Sequence, residues 1–421
     1  MSFKEFQFHP TIAAGITACG YTVPTPIQRE AIPPILSGRD ILGLAQTGTG
    51  KTAAFVLPML ERLLSGPRKK VRALIVAPTR ELAEQIHENI GTMSGQTDLH
   101  SVVIYGGVGK GKQINTLRAG VEIVVACPGR LLDLLNDKAL TLSAVEILVL
   151  DEADHMFDKG FLPDIRRIIK LLPRNRQSLV FSATMPFEIR HLAEEMLKDP
   201  ATVQVNHTLP APTISHGLFH ITTEQKTPLL KNILKERQMT STLVFTRTKH
   251  KAKSLALQLE RAGFNAASLQ GNLSQQKRQQ ALDGFRDGTY GILVATDIAA
   301  RGIDVTGISH VINYDMPDTA ETYTHRTGRT GRASRTGEAL TFAGHEDAKM
   351  IALIERNLGK KMERETTPAL APQSEEERAL ERRPSLPRQA QGKRPAAAGK
   401  TNSRRDKACG FDFGTRKPYQ R

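Results

Sequence analysis

From Asp40 onward the chain alternates short apolar runs with stretches of helical period, and it does so twice. DILGLA, RALIVAP, SVVIYGG, VEIVVA, VEILVL and SLVFSAT read as buried strands, while AAFVLPMLERLL and RELAEQIHENI read as crossover helices. Apolar runs joined by helices predict a mostly parallel, doubly wound sheet. The pattern pauses at NHTLPAPTISHG, residues 206–217, a polar Pro-containing stretch expected to be a linker. It resumes with TLVFTRT, GILVATD, HVINYD and EALTFAG, set between helical segments such as KHKAKSLALQLERAG and SQQKRQQALDGF. The expected fold is therefore α/β, with two doubly wound parallel-sheet domains in tandem, residues 1–205 and 218–365. Residues 366–421 break the alternation. They are rich in Pro, Ala, Gln, Arg and Lys, with 13 Lys and Arg against 6 Asp and Glu. Too little apolar surface is available there to offset the entropy of ordering, so a disordered basic tail is expected.

The first domain carries AQTGTGKT, Ala45 to Thr52, directly after a strand. Gly48 and Gly50 allow a tight turn whose N–H groups face phosphate oxygens. Lys51 supplies a charge for the β/γ-phosphates, and Thr52 a hydroxyl for Mg²⁺. Ala45 stands where the usual loop has its first Gly, so its backbone should stay in an ordinary region. Further on, VEILVL places Asp151 and Glu152 at the carboxyl end of a strand, where open α/β sheets bind ligands. A phosphate loop followed by two such carboxylates points to a nucleotide triphosphatase. Asp151 is expected to hold Mg²⁺ through a water, and Glu152 to orient and deprotonate the attacking water.

No GKT follows the first strand of the second half, so a single nucleotide site is expected. That half instead carries YTHRTGRTGR, with Arg326, Arg329 and Arg332 at three-residue spacing. On a helix or tight turn this spacing puts them on one face. By spacing alone they could meet a γ-phosphate, bind RNA phosphates or simply face solvent.

The formal net charge of +15 over 421 residues favours a polyanionic partner. Three widely spaced cysteines, Cys19, Cys127 and Cys409, argue against a disulfide framework or a zinc site and for a reducing compartment. MSFKEFQFHP lacks the apolar core of a signal peptide, and no run approaches the ~18 apolar residues of a membrane span. A soluble cytoplasmic protein without membrane association is expected.

Ala45 with QTGTGKT, then Asp151-Glu152-Ala153-Asp154, then Ser182-Ala183-Thr184, resembles the DEAD-box RNA helicases of superfamily 2. The likeness extends over about residues 3 to 360. The opening MSF, AQTGTGKTAAF and DIRRIIKLLP look most like the bacterial RhlE-type branch. The resemblance implies two RecA-like domains with ATP and Mg²⁺ between them and RNA across both. It implies that Ala45, Gln46, Thr47, Gly48, Thr49, Gly50, Lys51 and Thr52 bind the nucleotide phosphates, and that Asp304 contacts the ribose. Arg329 and Arg332 become arginine fingers. Asp154, Ser182, Thr184, His325 and Arg326 become coupling residues that tie the nucleotide site to the rest of the cleft. Gly20 to Gln28 matches the Q motif, whose Gln28 amide suits the N6/N7 edge of adenine. Thr25 belongs to this motif, with Phe3 as the isolated upstream aromatic. For Phe3 and Tyr21, packing and stacking on the base both remain open.

Contacts to RNA are expected mainly at phosphate and sugar, which position a strand without reading its sequence. In the first domain they fall on Pro78, Thr79, Arg80, Gly106, Gly107, Pro128, Gly129 and Arg130. In the second they fall on Arg247, Gly271, Gln275, Arg278 and Thr296. Two positions depart from the family pattern: Cys127 replaces the usual Thr, and Gln270 the common His. The implied function is ATP-driven local separation of RNA duplexes; an ATP-gated RNA clamp or ribonucleoprotein remodelling factor is the alternative. Ribosomal or RNA-decay proteins would be further partners.

Overall fold

The computed structural model describes residues 2–45, 48–205, 214–237, 239–300, 307–331 and 336–366, without the side chain of Ile298. The first sheet contains β1 (Ile41–Leu44), β2 (Ala73–Val76), β3 (Ser101–Ile104), β4 (Ile123–Ala126), β5 (Ile147–Leu150), β6 (Gln177–Ser182) and β7 (Ala201–Gln204). All pairings are parallel, in the order β3-β4-β2-β5-β6-β1-β7. Helices α1 (Pro10–Ala18) and α2 (Pro26–Leu36) precede β1. Between or after the strands come α3 (Lys51–Leu63), α4 (Arg80–Met93), α5 (Lys110–Ala119), α6 (Pro128–Asn136), α7 (Ala153–Asp158), α8 (Leu162–Lys170) and α9 (Phe187–Met196).

β2, β4 and β5 are buried at every position because helices cover both faces. Successive residues point to opposite faces. Ile75, Val125 and Val149 join the cluster that includes α3 and α4, while Leu74, Val124 and Leu148 join the one that includes α6 and α8.

The second sheet repeats this plan with β8 (Ile214–His220), β9 (Thr242–Phe245), β10 (Ala266–Leu269), β11 (Ile292–Ala295), β12 (His310–Asn313), β13 (Gly337–Ala343) and β14 (Glu363–Arg364). Its order, β10-β11-β9-β12-β13-β8-β14, is the first order shifted by one domain. The accompanying helices are α10 (Thr223–Glu236), α11 (Lys249–Arg261), α12 (Gln275–Arg286), α13 (Asp297–Ala300), α14 (Ala320–Thr327) and α15 (Ala348–Leu358). The tandem doubly wound fold is as expected.

Four strands were not read from the sequence. β8 begins at Ile214, so residues 214–217 of the expected linker are sheet; residues 206–213 lie outside the described residues. Its ISHGLFH sequence is broken by Ser, His and Gly, yet Gly217 is where β8 packs under Leu340 and beside Glu365. β7, β10 and the two-residue β14 lack a sustained apolar run. Of the expected tail, residues 367–421 lie outside the described residues. Among the described residues no helix is long and apolar enough to cross a membrane.

Candidate nucleotide site and nucleic-acid cleft

The motifs sit where an open parallel sheet presents its loops, at the carboxyl ends of strands. Gly48 and Gly50 have φ of 85° and 92°, the left-handed region that favours glycine. Gly50 starts α3, and a Cβ there would lie 2.6 Å from the Gln28 amide nitrogen. Gln28 is buried and braces the loop. Its Nε2 donates to the Gly50 carbonyl at 3.1 Å, and its Oε1 accepts from the Thr25 N–H at 2.9 Å. The buried Lys51 Nζ donates to the Ala45 carbonyl at 2.9 Å, and the Ala45 N–H reaches Ser182 O at 3.0 Å. Thr49 and Thr52 flank Gly50 and Lys51 on the same turn. Phe3 is buried, with its ring near-parallel to that of Tyr21 at 6.2 Å between centroids and T-shaped to that of Phe6 at 6.0 Å. Gln46, Thr47, Asp304 and Arg332 lie outside the described residues.

Asp151 follows β5 and is almost wholly buried, which pushes its carboxyl up to about 6 against the opposing pull of Lys51. Glu152 has φ 52° and ψ 53° and begins α7. A non-glycine residue in that region is strained, and such strain concentrates at functional sites. Burial would raise its carboxyl, but the hydrogen bond from His155 and the charges of Lys51, His155 and Arg329 overcome this and hold it near 2. His155 Nδ1 lies 3.2 Å from Glu152 Oε2. Asp154 is tied to the end of β6. Its Oδ2 accepts from the Thr184 N–H and hydroxyl, both at 3.0 Å, while its own N–H reaches Ser182 Oγ at 3.2 Å.

The arginines part company because α14 ends at Thr327. Arg326, still on the helix, turns inward. All three guanidinium nitrogens donate within the second lobe, to both Asp297 carboxylate oxygens, Asn313 Oδ1 and the Asp315 carbonyl, beside the Phe245 ring. Arg329, past the helix end, is buried at a cavity of about 30 Å³ that it and His325 share with Glu152, Asp154, His155 and Asp158. The one-face expectation fails for this pair, while Arg329 lines the same small cavity as Glu152 of the other lobe, whose carboxyl pKa its charge helps to lower.

A second, larger cleft of about 590 Å³ gathers most of the expected RNA residues. Pro78, Thr79, Arg80, Gly106, Gly129 and Arg130 come from the first lobe, and Gly271, Gln275 and Arg278 from the second. The lobes touch here: Arg278 Nη2 lies 2.7 Å from Glu81 Oε1, and Arg80 Nη1 donates to Gln275 Oε1 at 3.4 Å. Gly107 has φ 83°, and a Cβ there would come within 2.2 Å of the Arg80 guanidinium, so glycine leaves room for that arginine. Arg130 lies 3.5 Å from Asp133 and donates to the Val108 carbonyl. Pro128 is the buried first residue of α6 and is not on the cleft wall. Arg247 and Thr296 are elsewhere, on a cavity of about 850 Å³ shared with Thr184 and His325. Cys127 lines the main cleft at the start of α6 without a side-chain cap, and burial pushes its thiol up to about 12. Gln270 is buried and accepts from the Asn272 N–H at 2.7 Å.

Sequence reasoning missed Glu81, His155 and Asp297. Glu81 directly follows Pro78-Thr79-Arg80 and Asp297 directly follows Thr296, so adjacency was the available signal for both.

A phosphate loop and carboxylate pair on one parallel sheet, facing an arginine from a second sheet of the same order, define a tandem RecA-like nucleotide-hydrolase core. Residues 25–192 match the DEAD/DEAH box helicase family and residues 225–334 the helicase conserved C-terminal domain. The RNA helicase CrhR of Synechocystis sp. is 44% identical over 83% of this chain and 71% of that protein. The ATP-dependent RNA helicase CshA of Listeria monocytogenes is 40% identical over 86% of this chain and 69% of that protein. The structure of S. cerevisiae Dbp5 bound to RNA and ADP BeF3 is similar with a TM-score of 0.79 and 32% identity, covering 90% of this chain and 98% of that one. This chain belongs to the DEAD-box RNA helicase family.

Proposed function

We propose that this protein is an ATP-dependent RNA helicase that separates short RNA duplexes when ATP and RNA draw its two lobes together. The observation that carries this reading is a double bridge between the lobes. Glu152 and Arg329 share one small cavity, while residues of both sheets share the larger cleft. In phosphoryl transfer the protein mainly positions groups and stabilises spreading charge. Lys51 and the loop N–H groups hold the phosphates, Glu152 orients and deprotonates water, and Arg329 meets charge developing on the γ-phosphate. Arg332 would add a second cation. Asp304 would hold the ribose.

Several features fit a nucleotide with Mg²⁺. The Gly50 turn has no room for a side chain, Lys51 is a buried ammonium, and Asp151 is a buried carboxylate with a raised pKa that a cation would stabilise as the anion. Thr52 and Asp151 would hold Mg²⁺, which when bound neutralises phosphate charge. Each end of the Gln28 amide uses one protein partner and keeps one position, an N–H and a lone pair, for the N6/N7 edge of adenine.

Across the larger cleft, Arg80, Arg130, Gln275 and Arg278 would grip the RNA backbone, and Arg247 and Thr296 would continue the path. Because these contacts lie on both lobes, a strand held in the closed state is constrained along its length and cannot keep an undistorted partner. We further place the chain in the RhlE-type branch, on the strength of MSF, AQTGTGKTAAF and DIRRIIKLLP. A cytoplasmic location and ribosomal or RNA-decay partners accompany that reading. The test is strand separation of a short RNA duplex and the matching DNA duplex, with and without ATP. ATP-dependent release from the RNA duplex is expected. ATP hydrolysis and RNA binding without release would favour a clamp, and release from DNA alone would overturn the RNA assignment.

A further inference from the structure

We infer that Lys159 is an additional RNA-backbone contact, a phosphate-binding ammonium on the wall of the larger cleft that no recognised motif supplies. The inference rests on the reading of that cleft as the RNA site. Lys159 closes α7 and is half-buried on the cleft wall between Pro78 and Phe161. Its Nζ donates to the Pro78 carbonyl at 3.4 Å, at the entry to the Pro78-Thr79-Arg80 turn. The ammonium thus lies on the same cleft wall as Arg80 and the other first-lobe residues expected to hold phosphates.

The other cleft cations explain why one more matters. Arg278 is within 2.7 Å of Glu81, and Arg130 is 3.5 Å from Asp133. These two guanidiniums sit beside carboxylates that offset their charge toward a polyanion, while Arg80, the third arginine of the cleft, donates to Gln275 Oε1. The ammonium adds to the positive charge of the wall, and its compact, rotatable donor group suits a point contact to a phosphodiester oxygen. The backbone that carries this ammonium is well anchored. α7 is only six residues long, begins at the Glu152 turn and is fastened to β6 through Asp154, Ser182 and Thr184. Its far end is thus presented to the cleft from a rigid base, with the Lys159 N–H bonded back to the His155 carbonyl.

The experiment is a titration of the full chain with single-stranded oligouridylate and oligoadenylate in the presence of ADP and beryllium fluoride, over a range of KCl concentrations. Loss of one phosphate contact should weaken both oligonucleotides equally and reduce the slope of log K against log salt by about 0.7 for Lys159→Gln. Lys159→Arg should keep the native slope. A Lys159→Gln protein that folds and retains the native slope overturns the inference. Should that variant not fold, acetylation of the unaltered protein decides: RNA should protect Lys159 from an amine-reactive reagent, and equal labelling with and without RNA overturns the contact. Failure of the underlying RNA reading would look different, since the native chain would then bind neither oligonucleotide.

Discussion

The two lobes share a strand order and differ in the segment that leaves the equivalent strand. In the first, β1 runs into Ala45 and a glycine-built turn that leaves Lys51 buried at the head of α3. In the second, β8 occupies the same place in the order but leads through Ile221 to an ordinary helix start, where the Thr222 N–H donates to Gln225 Oε1 at 2.9 Å. One position is a glycine-built turn suited to phosphate and its counterpart is merely capped. The sheet is a frame, and chemistry is added by the loops at its carboxyl edge. The second lobe contributes by the groups it brings across, with Arg329 at the nucleotide side and Arg278 at the cleft.

The sharpest way to break this division of labour is Arg329→Ala. Turnover should fall by about 10³-fold, the scale of other arginine fingers. Resting ATP affinity should change little, since the phosphate loop belongs to the first lobe. If ATP binding vanished while turnover of bound ATP survived, the two lobes would not divide the task in this way. Glu152→Gln tests the other side of the same cavity: it keeps shape and removes the base, so ATP should bind while steady-state hydrolysis drops at least ~100-fold. Near-native hydrolysis would remove Glu152 from its role.

A stability comparison comes from the second lobe alone. His216 on β8 is buried, with Nδ1 2.8 Å from the Tyr323 hydroxyl, and burial, reinforced by the Lys360 charge, lowers its pKa from 6.5 to about 4. In the unfolded chain it protonates near 6.5, whereas the folded lobe keeps it neutral. Stability should therefore fall as pH drops from 6.5 towards 4 and stop falling through this group below that. The expected loss is up to about 3.5 kcal/mol, each pKa unit being worth about 1.4 kcal/mol. Urea unfolding of His216→Gln across this window should show a flatter pH dependence than the native chain; parallel curves would mean that His216 does not carry the effect. The smallest effect concerns the first lobe's cleft. Cys127→Thr restores a hydroxyl at the head of α6 and should tighten RNA binding, measured with a non-hydrolysable ATP analogue, by about 0.5–1.5 kcal/mol. Unchanged affinity would leave Cys127 as a packing residue.

How much of this was legible depends on whether the signal is local. ALIV, IVVA and ILVL are buried on both faces, so their apolar runs disclosed β2, β4 and β5 directly. β8 escaped because Ser215, His216 and Gly217 interrupt its run, and it is made a strand by pairing with β13, more than a hundred residues away. The phosphate loop was legible for the opposite reason: glycine at 48 and 50 is demanded by the turn itself.

The chain's own order of residues determined the two-lobed α/β plan, the placing of motifs at strand ends and the confinement of the glycine-built loop to one lobe. Backbone burial and turn geometry act over a few residues, and sequence records them. Only the tertiary structure decided that Arg326 braces its own lobe while Arg329 lines a cavity with Glu152, although three positions separate them. It alone paired Glu81 with Arg278, bent Glu152 into a left-handed turn and set Lys159 on the cleft wall. Those outcomes depend on where a helix ends and on how two sheet edges face one another. Charges brought together by such packing leave no periodic mark along the chain.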